Sequence, residues 1–212
     1  MILFADDTTA LIPMNMGVSV QQVMDDLVAW FRINKMKLNV EKTNLIYFGH
    51  STQNLNLALP ITKVGCLKFL GVIGVYINSS LTWTDHIDYL AGKLSSINYL
   101  LWQLKGVTNV QTLKMAYYGM FQSNMSYGLV FWGGNISLMQ RIFVIQKRAI
   151  RIIYRMQVTE SCKNIFLSNE ILTLPCLYIF LIAQIVKKGV VKLHTPQHSH
   201  YTRNSQLLHS QD

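Results

Sequence analysis

The 212 residues carry 19 Lys and Arg against 10 Asp and Glu, a formal charge of +9, and half of them are hydrophobic. That supplies core material for one large domain or two small ones and excludes a polar, disordered chain. Cys66, Cys162 and Cys176 stand in no C-x-x-C spacing, which argues against a disulfide scaffold or a thiolate zinc site and fits a reducing intracellular compartment, nucleus or cytoplasm.

From the N-terminus, residues 2 to 5 and 8 to 12 read as two strands of a hairpin, with Asp6 and Asp7 at its tip. Adjacent carboxylates raise each other's proton affinity, so the pair is either an ordinary solvated turn or the holder of a cation. The same acids interrupt any apolar leader, and no secretory signal is expected. Ser19 suits the N-cap of a helix over residues 20 to 34 with Val20, Val23, Met24, Leu27 and Phe31 on one face, ended by Asn34. Residues 43 to 49 read as a strand, 50 to 57 as a polar loop, and 66 to 77 as one extended or hairpinned strand pair closed by a turn at 78 to 80.

Beyond that turn the period changes. Ile87, Leu90, Leu94, Ile97, Leu101 and Leu104 recur at steps of three and four, predicting a helix over 84 to 105 with Thr84 as N-cap and Gly106 as its stop. Further helices are predicted over 110 to 125, 136 to 155 and, after Pro175, within the apolar stretch 174 to 186. That last stretch of about 13 residues is short of the roughly 20 that span a bilayer and predicts a buried core helix, the alternative being an interfacial segment followed by Lys187 and Lys188. Trp83, Trp102 and Trp132 read as core aromatics in preference to base-stacking platforms.

Charge is unevenly divided: residues 1 to 106 hold 8 Lys and Arg against 7 acids, and residues 107 to 212 hold 11 against 3. On the helix over 136 to 155, Arg141, Lys147, Arg148, Arg151 and Arg155 fall on one arc. Leu138, Ile142, Ile145, Ala149 and Ile152 fall on the adjoining one. The basic arc suits phosphate, and equally a solvated outer face. His194, His198 and His200 sit in a polar tail without an accompanying Cys, a poor match to a zinc site.

Several of these segments, in order, resemble the reverse transcriptases of jockey-like non-LTR retrotransposons. "FADDTTAL" resembles the aromatic-x-Asp-Asp hairpin of the palm. "NKMKLNVEKTNLIYFG" is similar to the next palm segment, and "LKFLGVIGVYINSSLTWTDHI" to the primer grip and its sequel. "YGLVFWGGN", "IQKRAIRIIY", "ILTLPCLYIF" and "HYTRNS" are similar to landmarks of the thumb and the region after it.

The resemblance implies RNA-directed DNA synthesis by a two-metal mechanism with Mg2+ as cofactor. Its partners would be an RNA template, a DNA primer, deoxynucleoside triphosphates and a separate fingers-and-palm portion, with no membrane. By the same resemblance, Asp6 binds metal and Asp7 is its less engaged neighbour. Phe4 packs against template and primer, at a position more often Tyr. Lys42 approaches the nucleotide's phosphates, although a surface lysine at a strand entry would look the same. Leu70 and Gly71 form the primer grip, and Arg141, Lys147, Arg148, Arg151 and Arg155 contact phosphates.

The expected fold is α+β. Residues 1–83 would form an incomplete palm with an antiparallel sheet and a helix, residues 84–193 a helical thumb-like bundle, and residues 194–212 a polar tail. A working palm has one further aspartate on an earlier strand, and no segment reads as that strand; Asp25 and Asp26 read as helix surface. The expectation is therefore a polymerase fragment that is inactive alone, with apolar surface at a sheet edge and poor solubility. The alternatives are a non-catalytic nucleic-acid-binding remnant, marked by salt-sensitive retention, and a remnant with no partner.

Overall fold

The computed structural model of the protein describes residues 2–4, 7–13, 19–48, 58–68 and 75–189. These are mostly helical with a few short strands, and the chain divides into two compact units, residues 1–86 and 87–212. The tail over 194–212, with its three histidines, lies outside the described residues.

In the first unit, β1 (Ile2–Phe4) and β2 (Asp7–Thr9) pair antiparallel, with Ile2 opposite Thr9 and Phe4 opposite Asp7. The expected hairpin is present, with Asp7 taken into the second strand. Helix α1 (Val20–Ile33) starts where Ser19 predicts: the Ser19 Oγ accepts from the Gln22 N–H at 3.1 Å, satisfying one of the donors that a helix start leaves open. Asn34 closes it, its N–H reaching back to carbonyls of the last turn. Its apolar face is only half-buried; Val20 is the one fully buried position of this helix. The Gln21 Oε1 accepts from the Ala58 N–H at 2.9 Å, tying the distant residue 58 to the helix.

A single 3-10 turn, Val40–Lys42, leads into β3 (Asn44–Leu45), much shorter than the expected strand over 43 to 49. Its partner β4 (Thr62–Lys63) runs parallel to it. The β5 (Cys66–Lys68) and β6 (Tyr76–Asn78) strands form the expected hairpin, antiparallel with Leu67 opposite Ile77. Among the described residues these are three separate two-stranded pairs. A single antiparallel sheet was expected; pairs of two or three residues close only a few ladder hydrogen bonds and extend no further. Buried apolar side chains described in this unit are Val20, Tyr47 and Val75.

Asn78 organises the turn that follows. Its Oδ1 accepts from the Thr82 N–H at 2.9 Å, and its Nδ2 donates to Thr82 Oγ1 and to Asp85 Oδ2, each at 2.7 Å. This clamp holds Leu81 and Trp83 at φ of 54° and 64°, a left-handed backbone that costs a side-chain-bearing residue roughly 1–2 kcal/mol. Helix α2 (Thr84–Leu104) therefore opens on Thr84 as its first residue, where an N-cap was expected. Of the predicted stripe, Ile87, Leu90, Leu94, Ile97 and Leu101 are buried, and Leu104 at the helix end is half-buried. The stop differs, because Gly106 is not among the glycines with positive φ. Thr108 ends the helix, its N–H and its hydroxyl both donating to the Leu104 carbonyl at 2.9 Å.

The helix expected over 110 to 125 is three pieces in one rod: α3 (Val110–Ala116), one π-helical turn (Tyr117–Gln122) and α4 (Ser123–Ser126). Asn109 caps its start through Thr112 N–H at 2.9 Å. A short α5 (Leu129–Trp132) follows from Gly128 at φ 64°. Gly133 then permits close approach, since a Cβ there would lie 2.5 Å from the Tyr178 ring and 2.6 Å from the Leu129 carbonyl.

Helix α6 (Ile136–Ile153), capped by Asn135, buries Ile142, Ile145, Gln146, Ala149, Ile150 and Ile153. Leu138 and Ile152, placed by the sequence on its apolar arc, are half-buried. The Asn98 Nδ2 of α2 donates to the Ile145 carbonyl at 3.1 Å. Helix α7 (Lys163–Ser168) and helix α8 (Leu174–Lys187) complete the unit. Thr173 caps α8, with Pro175 in the first turn. A buried core helix was expected there, yet α8 buries Leu174 and Leu177 while Ile179 and Phe180 stay exposed.

At the centre of this unit is Gln146, fully buried. Its Nε2 donates to Tyr117 OH at 2.9 Å and to the Leu172 carbonyl at 3.0 Å, and its Oε1 accepts from the Leu174 N–H at 2.9 Å. One side chain thus joins α6, the π turn and the start of α8. The Tyr117 ring stacks on Phe121 at 5.3 Å, and burial pushes its phenol pKa well above 10.

Candidate functional site

The residues singled out in the first unit are positioned by local structure in three places. Asp7 is a strand residue opposite Phe4, and Asp6 lies in the intervening segment outside the described residues. Lys42 ends the 3-10 turn: Asn39 Oδ1 accepts its N–H at 3.3 Å, and the Lys42 carbonyl accepts from Asn44 Nδ2 at 3.1 Å. Its side chain is exposed. Leu70 and Gly71 belong to the connection between β5 and β6 and also lie outside the described residues.

His86, in the first turn of α2, is 4% exposed, and its Nδ1 accepts from the Tyr76 N–H at 3.5 Å. Burial lowers its pKa from 6.5, favouring the neutral ring. Among the described residues no group of three or more His, Cys, Asp or Glu side chains is arranged to hold a metal ion, and no helix is long and apolar enough to cross a membrane.

The basic arc of α6 forms as the periodicity predicts, but most of its members have partners within the protein. Arg141 pairs with Asp88 of α2, both half-exposed, where an ion pair is worth little. Arg151 donates through Nε and Nη2 to the Glu160 carbonyl at 3.1 and 2.9 Å. Arg155, beyond the helix at φ 55°, donates through Nη2 to the Lys105 carbonyl at 3.1 Å, at the end of α2. Lys147 lies with its Nζ 4.9 Å from the centre of the Phe143 ring. Arg148 is exposed. The solvated-face alternative therefore accounts for much of this arc, with two arginines serving as clamps on loop carbonyls.

Of the three tryptophans, Trp132 is the core residue expected and Trp83 is half-buried. Trp102 is not a core residue: it is 59% exposed and stacks on Tyr99, also exposed, at 6.2 Å between ring centres. Both sit off the Ile87-to-Leu101 stripe, and that offset was the available signal. No protein-family model, no curated protein and no solved structure matches the chain.

Proposed function

We propose that this chain is the palm, thumb and following region of a reverse transcriptase of a jockey-like non-LTR retrotransposon, carrying part of the machinery for RNA-directed DNA synthesis. The observation that supports it is the antiparallel pairing of β1 and β2, in which Phe4 stands opposite Asp7, the second of the two adjacent acids. The donor set fits the group implied: adjacent carboxylates suit a hard, oxygen-seeking divalent cation such as magnesium and relieve their mutual repulsion when one is held. A magnesium ion held by Asp6 and Asp7 would supply activation of a primer 3′-hydroxyl and charge neutralisation on the departing pyrophosphate.

The chain's own residues then have definite parts. Asp6, with Asp7, supplies carboxylate oxygens. Lys42, exposed at the entrance to β3, approaches the triphosphate and supplies a proton to the leaving pyrophosphate. The β5–β6 hairpin brackets Leu70 and Gly71, the segment against which a primer strand lies. The basic face of α6 offers Arg148 and Lys147 to phosphates more readily than Arg141, Arg151 and Arg155, which have partners within the fold.

Because none of the 212 residues reads as the strand bearing a third palm carboxylate, extension requires a second component. The test is primer extension on an RNA template, with the chain alone and with an added fingers-and-palm fragment. The expected result is extension only by the mixture, with Asp6→Asn reducing it at least about a hundredfold. Extension unaffected by Asp6→Asn would refute the proposal.

A further inference from the structure

Helix α8 carries no charged residue from Leu174 to Val186, and the cations that follow, Lys187 and Lys188, stand exposed at its C-terminal end. Its inner side is occupied by the protein: α8 packs on α4, α5 and α6, Leu174 and Leu177 are buried, and the Tyr178 ring lies against Gly133. Its outer side shows Cys176, Ile179, Phe180 and Ala183, all exposed, Ile179 by 65% and Phe180 by 49%. Steps of three and four residues align these four on one stripe, about 10 Å long. Lys187 continues the stripe one turn beyond Ala183, with Lys188 beside it. A helix that faces water ordinarily turns charged side chains outward, and an apolar stripe in their place marks a contact surface.

We propose that α8 seats the second unit on an anionic lipid surface, with Ile179 and Phe180 entering the boundary between headgroups and acyl chains and Lys187 and Lys188 meeting the headgroups. Charge selects the occupant. The stripe ends in two cations without an acid on α8, and residues 107 to 212 hold 11 Lys and Arg against 3 acids, so the complementary surface is negative. A bilayer fits this arrangement better than an acidic protein does, because an apolar stripe ending in lysines matches acyl chains layered under anionic headgroups. A helix lying flat at that boundary sinks about 5–10 Å. Lysine stems are long and apolar, so their ammonium groups reach headgroup level while Ile179 and Phe180 go deeper. The packing of the inner side on α4, α5 and α6 holds α8 along such a surface, and no described helix is long and apolar enough to cross a membrane. The proposal rests on α8 alone and names a partner that the polymerase reading does not supply.

The test is flotation of the full chain with vesicles of phosphatidylcholine alone and of phosphatidylcholine containing roughly one-third phosphatidylserine. The double variants Ile179→Ser with Phe180→Ser and Lys187→Gln with Lys188→Gln are compared with Lys37→Gln with Lys93→Gln, which removes as much charge from exposed positions elsewhere. All six positions are exposed, and circular-dichroism melts matching the parent verify that each variant folds. The expected result is binding to the phosphatidylserine vesicles that falls with added salt. Each α8 pair weakens it about tenfold and the control pair less than about twofold. No binding to the anionic vesicles overturns the proposal, as does binding that both lysine pairs weaken equally while the stripe pair leaves it unchanged, since charge alone would then account for it. A parent chain that sediments as a dimer and becomes a monomer in the stripe variant also overturns it, by showing that a second copy covers the stripe. Primer extension is measured without vesicles, and its failure leaves this surface standing.

Discussion

At the scale of single residues, the second unit depends on Gln146. A buried primary amide is costly unless its donors and acceptor are matched, and here its three bonds run to groups outside α6: Tyr117 OH, the Leu172 carbonyl and the Leu174 N–H. Gln146→Met keeps the shape and removes all three bonds, leaving those groups buried without this partner. The expected loss of stability is about 2–4 kcal/mol, from roughly 1–3 kcal/mol for each unsatisfied group with partial relaxation. Urea unfolding of the two proteins measures it, and a loss under about 1 kcal/mol would mean that water replaces the amide. The sequence places residue 146 beside the buried stripe of α6, but a glutamine there reads as polar surface. Its role is set by Tyr117 and Leu172, far away in sequence, and no local pattern announces them. The same holds for Arg151 and Arg155, whose arc is legible while their carbonyl partners are not.

At the scale of elements, the rod from Val110 to Ser126 shows how a sequence signal becomes a distortion. Leu113, Tyr117, Phe121 and Met125 are all fully buried and recur at every fourth residue. In a regular α-helix each such step drifts about 40° around the axis, so the last would stand about 120° from the first. The π turn at Tyr117–Gln122 takes up one extra residue, about 100°, and returns all four to one side. The spacing was visible in the sequence, whereas a uniform helix over 110 to 125 overlooked its consequence. Deleting Gly119, which is exposed within that turn, removes the extra residue and restores an α-helix with Phe121 and Met125 still aligned. The deletion protein is expected to fold with a thermal midpoint within about 5 °C of the parent, since a helical glycine itself costs about 1 kcal/mol. Deleting Arg148 from the regular α6 rotates everything beyond it and abolishes the transition. Circular-dichroism melts compare them, and unfolding by both deletions would contradict this account of the turn. Elsewhere the cap at Ser19 was legible because its chemistry is local, a short side chain reaching an N–H three residues on; Asn109, Asn135 and Thr173, not singled out in the sequence, show the same geometry at α3, α6 and α8.

At the scale of the whole molecule, the two units differ in what their sequences specify. Residues 87–212 hold long apolar periods that bury side chains on helices, and the long helices α2, α6 and α8 were readable with ends shifted by a few residues, while the short α5 and α7 were not. Residues 1–86 hold short strands, and pairing among short strands is set by distant partners rather than by local period. That is why the hairpins β1–β2 and β5–β6 were legible and the parallel β3–β4 pair was not. The charge surplus also lies in the second half, while the proposed chemistry rests on Asp6 and Asp7 in the first. The most direct measurement is therefore cation binding itself, by manganese, a paramagnetic substitute with magnesium's preference for oxygen. Electron paramagnetic resonance titration of the intact chain is predicted to show about one Mn2+ bound per chain, displaced by Mg2+, with affinity lowered at least about tenfold in Asp6→Asn and in Asp7→Asn. Titration curves that coincide for the parent chain and both variants would contradict it.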